Sequence, residues 1–300
     1  MGLLPCVLDT NIARFGPPCD LEKLARRGFR LRVAETAFLE WIAACVREWQ
    51  EARWSRPIAR QKFFGRAKSI APFLDSDVPV ALDGGLLTRR IVAQADGKPA
   101  VKAFDDRQQA FVELWRRIVG LEMTDEEFIA AGQSANAFLD ELDANFIDLA
   151  RGEEELRKRV PPAEMDAASL SSAYAQWDEV SDMEKFTQLC RHAITSWRLS
   201  PVAAERLDAH VCTTAYRLQA AARKERMPKR NDGADASLTI HLGSGSILLT
   251  KDEKLIDVVD RSGTFQAQWV RHPDDLDNPP YGLPWGDDAR RSGSSFRRRK

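Results

Sequence analysis

The stretch LLPCVLDTN, residues 3–11, is an unbroken apolar run that stops at three residues favouring turns and helix caps. A short run of this kind, bounded by cap formers, predicts a buried strand over residues 3–8 with the Asp9 carboxylate at its C-terminal end. Working outward, DLEKLARR at residues 20–27 predicts a short helix opened by Asp20 and closed by Gly28. A second strand, Phe29 to Ala34, follows it. From Glu35 the period becomes helical, with Phe38, Leu39, Ile42 and Val46 at three- and four-residue spacing, which places Glu40 in the first turns of a helix after a strand. A β-α-β-α opening indicates an α/β fold with a parallel sheet flanked by helices.

Residues 75–105 carry Pro79, Gly84, Gly85, Gly97 and Pro99 without sustained periodicity, and read as connections leading into an inserted region. Thr124 and Glu127 form a capping box, after which Phe128, Ala135, Leu139, Leu142, Phe146 and Leu149 mark one face of a long helix broken by Pro161-Pro162. Helical patterning returns over about residues 168–198, and Ser200-Pro201 opens another helix with Leu207, Val211, Ala215 and Leu218 on one side. After Asn231 to Asp235, a short helix from Ala236 to Leu242 leads through Gly243-Ser244-Gly245 to a strand at residues 247–250, closing on Lys251-Asp252. Phe265 to Val270 is expected as the last strand, ended by His272-Pro273. The expected organisation is a discontinuous α/β core, residues 1–75 and 200–275, around a large all-helical insertion at 76–199, with a basic tail at 276–300.

The chain has 300 residues, 44% hydrophobic and 30% charged, enough apolar material for a core and too much charge for a membrane span. A net charge of -1 names no partner, but its distribution is uneven: residues 121–190 hold 17 acidic and 5 basic side chains. Arg290, Arg291 and the four basic residues from Arg297 to Lys300 read as a solvated tail or as phosphate contacts. Five cysteines without a CxxC pair fit reduced thiols, and the N-terminus has no basic leader, so a cytoplasmic protein is expected. The histidines lack ligand spacing, the tryptophans read mostly as core, and no phosphate-binding glycine loop, dinucleotide turn or serine-hydrolase elbow is present.

In an open parallel sheet the loops beyond the strand ends converge on one edge, where ligands bind. Asp9, Glu40, the pair Asp232 and Asp235, and Asp252 all fall on such loops or just beyond them. Two carboxylates about 4 Å apart repel by about 4 kcal/mol at an effective dielectric of 20, so convergence demands positive charge between them. Oxygen donors without histidine or thiolate suit Mg²⁺ or Mn²⁺, and such an ion supports metal-assisted phosphodiester hydrolysis. Each acid also has a plainer use: Asp9, Asp232 and Asp235 can cap helices, and Asp252 can be a turn residue. Glu35 is the substitute for Glu40 if the helical register differs. The basic run Arg223, Lys224, Arg226, Lys229 and Arg230 could hold RNA phosphates or be the solvated end of a helix.

The segments V-L-D-T-N (7–11), V-A-E-T-A-F-L-E (33–40), N-D-x-x-D (231–235) and I-L-L-T-K-D (247–252) resemble, in order, the motifs of PIN-domain nucleases, and W-V-R-H-P-D-D-L resembles their closing strand and loop. The resemblance implies a PIN-like sheet and a metal-dependent endoribonuclease. Its metal carboxylates would be Asp9, Glu40, Asp232 or Asp235, and Asp252, with Thr10, Asn11 and Thr250 in support. It covers roughly residues 1–50 and 228–275; compact members of the family have a much shorter helical middle. RNA is the implied partner, with Lys229, Arg230 and Lys251 as phosphate contacts and the helical insertion as a surface for a protein partner. Two alternatives stay open: an acid-cluster phosphatase with Asp9 as nucleophile, weakened by Asn at position 11, and a PIN-like RNA-binding or scaffold protein without activity.

Overall fold

The computed structural model describes residues 4–51, 56–99, 101–159, 199–222, 232–261 and 263–277. Strand β1 (Leu4–Leu8) leads into the short helix α1 (Thr10–Phe15) and α2 (Pro18–Arg26), and β2 (Phe29–Ala34) into α3 (Glu35–Gln50). Then come α4 (Arg56–Ile70), β3 (Val80–Ala81), α5 (Gly84–Ala95), α6 (Lys102–Val119) and α7 (Asp125–Arg159). The C-terminal part contains α8 (Pro201–Ala222), α9 (Asp232–Leu238), α10 (Ile240–Gly243), β4 (Ile247–Leu249), α11 (Glu253–Arg261) and β5 (Val270–Arg271). Among the described residues no helix is long and apolar enough to cross a membrane.

The five strands form one parallel sheet in the order β3-β2-β1-β4-β5. Cys6 aligns with Leu31 on one side and Ile247 on the other, so the chain's first strand is the middle of the sheet. Burial on both faces explains the unbroken apolar runs: Val7, Leu8, Leu31, Leu248 and Leu249 have no exposed surface. The chain winds from β1 outward through β2 and β3, then returns to build β4 and β5 on the other side. The order therefore reverses between β1 and β4, and a crevice is expected beyond the carboxyl ends of that pair.

Helices α3, α4, α6 and α7 share an aromatic core. Trp41 and Phe63 lie with ring centroids 4.8 Å apart, Phe63 and Phe128 at 5.1 Å, and Phe38 meets Phe111 edge-on at 6.0 Å. Each such ring removes about 150–250 Å² from water, about 4–6 kcal/mol at 25 cal/mol per Å² before entropy costs. Burial of that size fastens α7 to α3. Gly132 on α7 permits the close approach, since a Cβ there would overlap the Val46 side chain of α3.

Several expectations are met in place. β2 spans the expected residues, the Thr124–Glu127 box caps α7 in both directions, and Ser200 Oγ accepts the Ala203 N–H at 3.2 Å to open α8. Others change. Helix α2 starts at Pro18, with Asp20 inside its first turn. The region 75–105 holds β3 and α5, which were expected as connections. A two-residue strand has no period to read, and α5 buries only Leu87 and Ile91 behind two glycines. Because β3 pairs with β2, the sheet runs past residue 75, the expected end of the first core segment, into the stretch expected to be all helix. The helix expected over 236–242 is two short helices that begin earlier, at Asp232. Phe265–Trp269 is a 3-10 turn instead of a strand, and only Val270 and Arg271 join the sheet. The cause is Gln266, fully buried with its amide nitrogen donating to the Glu205 carbonyl at 2.6 Å, a tertiary bond that alternation cannot reveal. The helical stretch expected over 168–198 and the tail from residue 278 onward lie outside the described residues.

Candidate active site

The β1–β4 crevice is closed at its base by two threonines. Thr250, at the end of β4 and fully buried, donates its hydroxyl to Asp9 Oδ2 at 2.8 Å and accepts the Asp252 N–H at 2.9 Å. Thr10 gives its backbone N–H to Asp9 Oδ1 and its hydroxyl to Glu40 Oε2. One hydroxyl therefore ties Asp9 to Asp252 across the strand-order reversal, and the other ties Asp9 to Glu40 on α3. Asp252 accepts the N–H groups of Lys254 and Leu255, capping α11. Both the capping and the site uses expected of Asp9 and Asp252 are compatible, because a carboxylate has lone pairs enough for each.

The acids feel one another. Burial pushes the Glu40 carboxyl up to about 7, and the nearby charges of Asp9, Asp235 and Asp143 push it the same way against the Thr10 hydrogen bond. Burial likewise raises Asp235 to about 6, countered by Arg217 and assisted by Asp9 and Asp252. Asp9 is raised by burial, with Asp252 adding to it and the bonds from Thr250 and Thr10 opposing. Carboxyl groups that hold protons this far above their ordinary range mark a place short of positive charge.

The two candidates in the 231–235 segment separate. Asp235 lies in charge contact with Asp9 and Glu40. Asp232 is buried and turned to Arg217, whose Nη1 donates to Asp232 Oδ1 and to its carbonyl, both at 3.2 Å. The same guanidinium reaches Asp235 Oδ2 from Nη1 and Nη2, both at 3.1 Å. Asn11 and Lys251 are exposed, on α1 and beside Asp252 respectively. Lys229 and Arg230 lie outside the described residues.

Sequence reasoning missed Arg217 and Asp143. Each had a signal: Arg217 interrupts an otherwise apolar helix segment, and Asp143 adjoins the apolar face of α7 between Leu142 and Phe146. Glu35, the substitute for Glu40, belongs to a different group. Its carboxylate pairs with Arg107 and accepts the Asp83 N–H at 3.2 Å, while Asp83 accepts both the N–H and the hydroxyl of Thr36 at 2.9 and 2.7 Å.

No protein-family model, curated protein or solved structure matches this chain. The metal-ion question is therefore decided on the donors themselves. Their chemistry suits a hard divalent cation, being all oxygen, and their raised protonation shows the charge such an ion would supply. In distance they stand apart: among the described residues no three Asp, Glu, His or Cys side chains are gathered into a group that could hold a metal. Arg217 takes up Asp232 and one oxygen of Asp235, and hydroxyls hold Asp9 and Glu40.

Proposed function

We propose that the protein is a PIN-like, metal-dependent endoribonuclease that hydrolyses RNA phosphodiester bonds with Mg²⁺ or Mn²⁺ held by Asp9, Glu40, Asp235 and Asp252. One observation carries the reading: carboxylates from four separate segments converge where the strand order of a parallel sheet reverses, with Asp9, Glu40 and Asp235 raising one another's protonation. Such an ion, when bound, activates water and neutralises the phosphodiester under attack. The chain's own residues prepare the place. Thr250 and Thr10 fix the rotamer of Asp9, and Thr10 also orients Glu40. Asp232 anchors Arg217 and so positions the start of α9 that carries Asp235. Lys251, exposed beside Asp252, is placed to meet an RNA phosphate, which gives affinity without sequence choice. The helices between α3 and β4 then form the wall of an RNA groove and a surface for a protein partner, in a cytoplasmic setting.

The non-catalytic RNA-binding or scaffold reading is favoured by a single observation, the guanidinium of Arg217 already seated on two of the acids. The phosphatase reading gains nothing: both Asp9 oxygens are engaged by Thr10 and Thr250, and residue 11 is an exposed Asn. Labelled single-stranded RNA incubated with the purified protein separates the three. Cleavage that requires Mn²⁺, stops in EDTA and is lost in Asp9→Asn supports the nuclease; cleavage that persists in EDTA or in the variant overturns it. Binding without cleavage selects the scaffold, and phosphate release from a small monoester selects the phosphatase.

A further inference from the structure

We infer that Arg217 is a built-in counter-cation of the acidic crevice, seated on Asp232 and Asp235 in the metal-free protein and displaced from Asp235 when a divalent ion binds. The inference rests on the metal-dependent reading above and adds to it a residue from α8, a helix that none of the motif segments includes.

The contacts are unequal. On Asp232 the guanidinium meets both a side-chain oxygen and the backbone carbonyl, and that residue is almost wholly buried. On Asp235 both bonds end on one oxygen, Oδ2, and the side chain retains 26% exposure. Asp235 is also the member of the pair in charge contact with Asp9, Glu40 and Asp252. Arg217 thus bridges an inner acid that only it serves by hydrogen bonds in this cluster and an outer acid shared with the crevice.

The guanidinium itself is imperfectly matched. Its side chain is 5% exposed, yet Nε is buried without a hydrogen-bond acceptor. A buried donor without a partner carries a desolvation penalty, so this seat is one the side chain can leave at reduced cost. Removing all positive charge from two buried carboxylates is strongly destabilising, which explains why a cation is needed there before any ion arrives. A guanidinium and a divalent ion sharing one carboxylate repel, so occupancy of Asp235 by one weakens the other. The consequence is a protein that folds without metal and binds it less tightly than the bare acids would.

The test titrates Mn²⁺ into the full-length wild type, Arg217→Met and Arg217→Lys by calorimetry, and follows thermal unfolding of each with and without Mn²⁺. Arg217→Met is expected to bind Mn²⁺ at least about tenfold more tightly than wild type, or about 1.4 kcal/mol. Its metal-free melting temperature falls, and the rise on adding Mn²⁺ exceeds that of wild type. Arg217→Lys keeps the charge but loses the planar fork, so it falls between the two. Equal or weaker Mn²⁺ binding by folded Arg217→Met overturns the inference while leaving the metal reading intact. Where that variant does not fold without metal, the same outcome in Arg217→Lys decides. If the folded wild type and both variants bind no Mn²⁺, the metal reading falls and takes the inference with it.

Discussion

Two buried acid groups lie on the same edge of the sheet, and they are built for different ends. At the β2–β3 side, Glu35 and Asp83 form a closed exchange: Asp83 receives two donors from Thr36 at the start of α3, and Glu35 receives the Asp83 N–H and the Arg107 guanidinium. Each carboxylate there finishes the N-terminus of a helix. At the β1–β4 side, Asp9, Glu40 and Asp235 are steadied by hydroxyls and one shared arginine, and push on one another. Acidity and burial alone do not distinguish the groups, since Asp83 is also pushed up to about 7, by burial and then by Glu35. What distinguishes them is whether the donors aimed at each oxygen come from helix ends in need of caps or leave charge to be met from outside.

The largest expected effect tests the functional side directly. Asp9→Asn is nearly isosteric and can still accept from Thr250, so it should leave folding largely intact while reducing Mn²⁺-dependent RNA cleavage by more than about a hundredfold. Gel assays of labelled RNA, with circular dichroism as the folding control, measure both; a fully active variant would erase the contrast.

Next in size is a pH dependence common to both groups but differently relieved. The folded values of Glu40, Asp235 and Asp83 lie above their ordinary ones, so the folded state holds these protons more tightly than the unfolded chain. Their contribution to stability is fully present below the ordinary carboxylate values and is lost as pH rises through about 6 for Asp235 and about 7 for Glu40 and Asp83. Urea unfolding in EDTA should show stability falling between pH 4 and 8 by on the order of a few kcal/mol. Saturating Mn²⁺ should flatten the part owed to Glu40 and Asp235 and leave the part owed to Asp83. A slope unchanged by Mn²⁺ would put both groups in one class.

Asp83→Ala should cost about 2 kcal/mol of stability, through two hydrogen bonds to a carboxylate, with Mn²⁺ affinity preserved. Loss of Mn²⁺ binding in that variant, measured by calorimetry, would join the two groups after all. The smallest effect is expected of Thr250→Val, which keeps shape and burial but removes the bonds to Asp9 and Asp252: about 1 kcal/mol in thermal unfolding, and about tenfold weaker Mn²⁺ binding because Asp9 is no longer oriented.

How far the sequence could be read follows from the range of each interaction. The apolar run before Asp9, the β2 run and the Ile247–Leu249 run announced buried parallel strands because burial on both faces forces an unbroken apolar pattern. The acids at their ends could be named for the same reason, since a strand's end is where its side chains meet a ligand crevice. The threonines beside Asp9 and Asp252 were legible as companions, though not as the bridges they form. What stayed out of reach depends on contacts between distant residues: β3 is too short for a period, and the turn at Phe265–Trp269 answers to a bond with Glu205. Tertiary structure alone decided that Glu35 faces Arg107 while Glu40 faces Asp9, and that Asp232 turns to Arg217 while Asp235 is shared. Local patterning determines which face of an element is buried; which charge meets which is settled only when the elements pack.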